Sequence, residues 1–460
     1  MTSFRKLAFV MAVVCLLLSS RTALADTASQ TTAPNTPIEH FVVLMQENHT
    51  FDNYFGTYPG ADGIPPGTCM PVDPFDATNT ACVEPYHIGD RPIDDLDHSL
   101  STYELQYNNG KMDGFIYALN QRNQNGELAM GYYNDSDLPY YWNLADEYVL
   151  FDRFFSSDHG GSFANHMYWV SGTPGVNRAI ATGYADVPTI FDRLEERGIT
   201  WKFYVQNYDP QITYRTLSRY SGNRTSQVIW VPLLNIDRFI DDPKLSSHIV
   251  DLSEYFVDLE NGTLPAVSYI VPSGASEHPP GSLRSGQKFV KSLIQGLMRS
   301  TLWEKSAFLL IYDDWGGWYD HVPPPQVDEN GFGMRVPGIL VSAYARRGFI
   351  DSTELDFTSV LKFIQENWNL ESLVERDANA NSFMTAFDFS QPPRQPFFIP
   401  FARVVKEQVV EPRRVVIYAA YGGALILAGV MIAWVVFISG ARNRSGTSGE
   451  PLSQTEESLL

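Results

Sequence analysis

The sequence predicts an α/β fold, a mostly parallel central sheet flanked by helices, followed by one C-terminal transmembrane helix. Three observations carry this expectation. Short, almost wholly apolar runs recur along the chain, amphipathic stretches with helical spacing lie between some of them, and residues 415–438 hold 24 consecutive uncharged positions. A strand buried on both faces reads as a continuous apolar run, and such strands alternating with helices build parallel sheets covered on both sides.

The strand-like runs are 40–45, 201–205, 266–271, 307–312 and 338–342, and the helix-like stretches are 189–197, stopped by Gly198, 287–300 and 357–368. Apolar residues spaced three and four apart distinguish the second group from the first. No Pro/Gly/Ser linker divides residues 37–400, so one large domain is expected over residues 26–410.

Residues 1–25 read as a signal peptide: Arg5 and Lys6, an apolar run over 7–18, then Ala23-Leu24-Ala25 in the form of a cleavage site. The uncharged stretch 415–438 is long enough to cross the hydrocarbon core of a bilayer. Arg413 and Arg414 precede it and Arg442 and Arg444 follow it, so flanking charge does not set its direction. The signal does, placing the domain outside the cell membrane and residues 439–460 in the cytoplasm as a short tail. Cys15 falls within the signal, which leaves Cys69 and Cys82 to form a disulfide in an oxidising compartment.

The 460 residues carry 53 Asp+Glu against 33 Lys+Arg, a net charge of -20, with 44% hydrophobic residues. Wholesale disorder is excluded. The acidic balance argues against nucleic acid as the main partner, because binding a polyanion needs clustered Lys and Arg. An anionic substrate would need cations placed locally.

Ligands gather beyond the carboxyl ends of parallel strands. The first run is followed by Glu47 and Asn48, the 266–271 run by Glu277 and His278, and the 307–312 run by Asp313 and Asp314. Carboxylate and amide oxygens suit hard divalent cations, and a cation between neighbouring carboxylates removes their repulsion. Glu47, Asn48, Asp313 and Asp314 are therefore candidate metal ligands, the alternatives being a solvated turn and helix caps. This donor set does not choose among Ca, Mg, Mn, Zn and Fe. Ser162 follows Gly160-Gly161 and opens a helix-like run, so it is either a nucleophile held at a positive helix end or an ordinary N-cap. His98, His278 and His321 each follow an acid and are general-acid candidates or structural hydrogen bonders. Lys111 is a local cation for phosphate or a turn lysine.

Four blocks in order resemble the bacterial phosphoesterase family of non-specific phospholipases C and related acid phosphatases. They are Glu47-Asn48-His49-Thr50-Phe51-Asp52-Asn53-Tyr54-Phe55-Gly56; Asp97-His98-Ser99 with Gly110-Lys111-Met112-Asp113-Gly114-Phe115; Ser276-Glu277-His278-Pro279-Pro280; and Tyr319-Asp320-His321-Val322-Pro323-Pro324-Pro325. The resemblance implies an alkaline-phosphatase-like fold and a divalent metal ion held by Glu47, Asn48, Ser162, Asp313 and Asp314. It also implies a metal-bound Ser162 nucleophile with a phosphoseryl intermediate, and His98, His278 and His321 around the phosphate. Lys111 and Asn165 are carried over as substrate-binding residues. The implied activity is hydrolysis of phosphoric esters, phospholipase C-like with phospholipid as substrate. Acid phosphatase action on monoesters is the alternative, and an inactive binding ectodomain the reading from another class. Three residues depart from the family's nucleophile segment: Gly161 and Ala164 stand for prolines and His166 for arginine.

Overall fold

The computed structural model describes residues 33–91, 93–176, 182–184, 187–404 and 414–444. The expected signal peptide and the tail beyond residue 444 lie outside the described residues. Two separate units are present, one ending at Val404 and one beginning at Val405.

The first unit is built on an eight-stranded sheet. Its strands are β1 (His40–Gln46), β2 (Val149–Phe151), β3 (Trp201–Val205), β4 (Ile249–Asp251), β5 (Val267–Val271), β6 (Ser306–Tyr312), β7 (Gly338–Ser342) and β8 (Phe349–Asp351). They lie in the order β8-β2-β7-β6-β1-β5-β3-β4. All run parallel except β7, which is antiparallel to both β6 and β2. β6 and β7 are joined by residues 313–337, which contain no helix. Without a crossover helix to carry the chain back, β7 starts at the edge where β6 ended and must run the other way.

The central strands are apolar and buried throughout, as the continuous runs predicted: all seven residues of β6 and all five of β5 are inaccessible. The helices needed for the site are α1 (Phe51–Phe55), α2 (Leu100–Tyr107), α3 (Pro139–Glu147), α4 (Ser162–Ser171), α5 (Ile190–Arg197), α6 (Leu283–Arg299) and α7 (Phe357–Trp368). In α6, Val290, Leu293, Ile294 and Leu297 fall three and four residues apart and form the buried stripe. Each such side chain contributes roughly 1.5–3 kcal/mol when removed from water. α5 starts with a Thr189–Asp192 capping box and stops at Gly198, whose φ of 66° suits a residue without Cβ.

Cys69 and Cys82 are disulfide-bonded, with Cα atoms 5.5 Å apart. The second unit is a single helix, α8 (Arg414–Arg444). Its stretch Tyr421–Ile438 is long and apolar enough to cross a membrane, about 27 Å at 1.5 Å per residue.

Candidate active site

Register brings the ends of β1 and β6 together. β1 and β6 pair from His40↔Ser306 to Gln46↔Tyr312, so Glu47 and Asp313 leave the sheet side by side. The Asn48 N–H then donates to Asp313 Oδ1 at 2.9 Å. Gly316 follows with φ 58°, and a Cβ there would lie 2.5 Å from the Asn48 carbonyl oxygen, so only glycine allows the β6 loop this close. Glu47, Asn48, Asp313 and Asp314 are all at most 1% exposed, which excludes the solvated-turn alternative. The cap of α1 is Thr50, not Glu47 or Asn48.

Ser162 is the first residue of α4, with Gly161 at the cap. Its hydroxyl does not cap the helix. It lies 3.4 Å from Glu47 Oε2 and 3.3 Å from Asp314 Oδ2, a donor between two carboxylates. His98 receives a hydrogen bond geometry that points Nε2 inward: Nδ1 donates to the Leu96 carbonyl at 2.7 Å, and Nε2 lies 3.3 Å from Asn48 Nδ2. The His98 and His278 rings sit 6.1 Å apart, and both line the same cavity as Ser162 and Glu47, about 1290 Å³ in volume.

Crowding of acids dominates the electrostatics. Burial, then the neighbouring Asp313 and Asp314, pushes Glu47 far above the ordinary carboxylate range. Burial and Asp313 push Asp314 up to about 8. Burial would lower His98, but Asp314 and the Leu96 carbonyl outweigh it and the net shift is upward. Asn48 Oδ1 and Asp313 Oδ2 are buried without a hydrogen-bond partner. An orphaned buried acceptor costs about 1–3 kcal/mol, and a cation among these oxygens removes that cost and the mutual repulsion together. The residues present fit a divalent ion.

Three expectations need correction. His321 is outside the cavity: its Nδ1 lies 2.7 Å from Asp52 Oδ2 and its Nε2 3.3 Å from Asp62 Oδ1, within a separate cluster around Arg335. Lys111 is exposed on the turn after α2 and does not line the cavity. Asn165 is fully buried and engaged with the loop before it, accepting from Ser157 N at 3.0 Å and Asp158 N at 2.9 Å and donating to Gly160 O at 3.0 Å. It positions the turn that presents Ser162 and has no amide group left for substrate.

Two features were missed. His166, one helical turn after Ser162, has Nε2 3.1 Å from Glu47 Oε1; the i, i+4 spacing alone places it on Ser162's face. Burial holds it at about 4. Glu277 is anchored behind His278 by three phenols, Tyr54 at 2.7 Å, Tyr312 at 2.8 Å and Tyr141. These come from α1, β6 and α3, a convergence no local pattern encodes. Burial pushes Glu277 up from 4.5 to about 7, against the downward pull of the three hydroxyls. The folded state therefore holds this proton more tightly than the unfolded chain, and stability falls as pH rises from 4.5 to 7. The fall is up to about 3 kcal/mol. Glu277→Gln should flatten that part of a pH–stability curve measured by urea unfolding; an unchanged slope would refute the assignment.

A hydroxyl between carboxylates, at a helix start and in a cavity shared with two imidazoles, is an arrangement suited to hydrolytic chemistry. Residues 38–371 match the Phosphoesterase family, and the chain belongs to it. It is a phosphoester hydrolase. Phospholipase C B of Mycobacterium tuberculosis is 29% identical over 425 residues, covering 78% of this chain and 79% of its own. Non-specific phospholipase C6 of Arabidopsis thaliana is 28% identical over 449 residues, covering 86% and 81%. Among solved structures, an alkaline phosphatase superfamily protein from Vibrio parahaemolyticus aligns over 75% of this chain and 70% of its own at 11% identity, with a TM-score of 0.34.

Proposed function

We propose that the protein hydrolyses phosphodiesters of the phospholipid type through a phosphoseryl intermediate on Ser162. The carrying observation is the Ser162 hydroxyl set 3.3–3.4 Å from two buried carboxylates inside the shared cavity. A divalent cation held by Glu47, Asn48, Asp313, Asp314 and the Ser162 oxygen would supply Lewis-acid charge to the phosphoryl group and lower the hydroxyl's pKa. Asp314 or Glu47 accepts the Ser162 proton as the oxygen attacks phosphorus. His98 or His278 gives a proton to the departing alcohol, which leaves with its bonding pair. Water then attacks the phosphoserine from the vacated side, the same histidine takes its proton, and the Ser162 oxygen regains its own.

The diester reading is favoured over a monoester one by the cavity wall. Phe163, Leu217, Ile229 and Trp230 are among its lining residues, and the volume far exceeds a phosphate group. With α8 in a membrane and residues 439–460 in the cytoplasm, the domain would meet lipid substrate on the outer face.

Purified protein should cleave a chromogenic phosphorylcholine diester at least tenfold faster than the matching monoester. Chelation should lower that rate about a hundredfold or more, with recovery on adding back a divalent ion. Preference for the monoester would favour the phosphatase reading, and full activity after verified metal removal would overturn the cation site.

A further inference from the structure

We propose that His166 is a ligand of the same divalent cation, giving the centre one nitrogen donor and directing it toward a first-row transition ion such as Zn²⁺, Mn²⁺ or Fe²⁺ over Mg²⁺ and Ca²⁺. This rests on the reading of Glu47, Asn48, Asp313 and Asp314 as a cation site.

The His166 side chain is wholly buried, and its Nε2 lies 3.1 Å from Glu47 Oε1 and 3.9 Å from Asp313 Oδ2. One ligand atom from each of Glu47, His166 and Asp313 falls within 4.8 Å of the others. Donors about 2.1 Å from one ion lie roughly 3 to 3.5 Å apart, so the Glu47–His166 separation is that of two neighbouring ligands. The second observation is independent of the ring. Asp313 Oδ2, 3.9 Å from Nε2, is buried and unpartnered, as is Oδ1 of Asn48, whose N–H donates to Asp313; a histidine that merely hydrogen-bonded Glu47 would leave both so.

Charge points the same way. Among the described residues no lysine or arginine pairs with Glu47, Asp313 or Asp314. An arginine at position 166 would put a fixed positive charge here and could not ligate a metal. An imidazole adds a donor instead. Imidazole nitrogen suits Zn, Fe and other transition ions, whereas Mg²⁺ and Ca²⁺ take oxygen.

The test uses the full-length protein, as purified and reloaded with Mn²⁺ or Zn²⁺ alone, beside H166Q, H98Q and N48A. Unaltered Mn²⁺-loaded protein should show directly coordinated ¹⁴N coupling by pulsed electron paramagnetic resonance, kept in H98Q and lost in H166Q. H166Q should bind Zn²⁺ at least about 10–100-fold more weakly, the loss typical of removing even an outer-shell partner, and lose most of its preference over Mg²⁺. No ¹⁴N coupling in the unaltered protein overturns the proposal whether or not H166Q folds. A coupling that survives in H166Q and disappears in H98Q overturns it equally. Unchanged metal affinity in H166Q with loss in N48A overturns the His166 assignment while leaving the cation site standing. No metal bound by the unaltered protein overturns both.

Discussion

Ser162→Ala should lower turnover by about a thousandfold or more while leaving the fold intact. The size follows from what the hydroxyl does in the proposed reaction: without it no covalent intermediate forms, and only direct attack by water remains. Retention of the fold follows from its surroundings. Ser162 is partly exposed, is not the N-cap of α4, and makes only two long contacts, at 3.4 and 3.3 Å. Losing these removes little and relaxes the helix start not at all, because Asn165 holds the preceding turn through its own amide. Rates on the chromogenic diester, thermal melting, and acid-quenched labelling with phosphate-labelled substrate check the prediction. The unaltered protein should retain covalent phosphate and the variant none. A variant with near-full turnover, or one that still traps phosphate, would show that another group attacks.

The edge that carries the candidate site was legible in the sequence because parallel topology reduces it to a rule about strand ends. Runs 201–205 and 338–342 and the helix over 357–368 appear in the structure with the same bounds. β1, β5 and β6 are the three central neighbours, and their trailing residues are Glu47-Asn48, Glu277-His278 and Asp313-Asp314. The three-residue strands β2, β4 and β8 were too short for any periodicity to register, and the reversal of β7 depends on the path of a loop. His321, Lys111 and Asn165 were misplaced for a related reason. Adjacency to a motif says nothing about which way a side chain points, and His321 is turned toward Asp52 and Asp62 by loop packing. The approach of His166 to Glu47 joins residues 119 positions apart, which no local pattern encodes.

The cluster that claims His321 yields the largest expected effect on stability. Arg335 is completely buried, its Nε donates to Asp320 Oδ1 at 2.8 Å and its Nη2 to Asp52 Oδ1 at 3.1 Å. Its Nη1 donates to the carbonyls of Asp62 and Asp152, each at 2.8 Å, and the guanidinium lies 4.8 Å from the centre of the Phe51 ring. Asp52 belongs to α1, just after Glu47 and Asn48, and Asp320 to the loop that begins with Asp313, so one cation ties together the two segments that carry the proposed ligands. Arg335→Leu leaves the buried Asp52 and Asp320 carboxylates without the guanidinium, with only the His321 ring beside Asp52 to offset their charge. That costs about 3–5 kcal/mol at pH 7. The pH dependence has a definite sign. Burial pushes Asp320 up to about 6 even with Arg335 pulling it down; without the guanidinium the carboxyl rises further. A folded-state pKa above the unfolded value means the native variant binds the extra proton, so its stability falls as pH rises through that interval. The deficit relative to the unaltered protein should therefore be smaller at pH 5 than at pH 7, the reverse of ordinary acid destabilisation. Urea unfolding at the two pH values measures it, with His321, Asp62 and Asp52 unchanged in both proteins. A loss below about 1 kcal/mol, or one that grows on acidification, would mean that Arg335 contributes packing and not charge compensation.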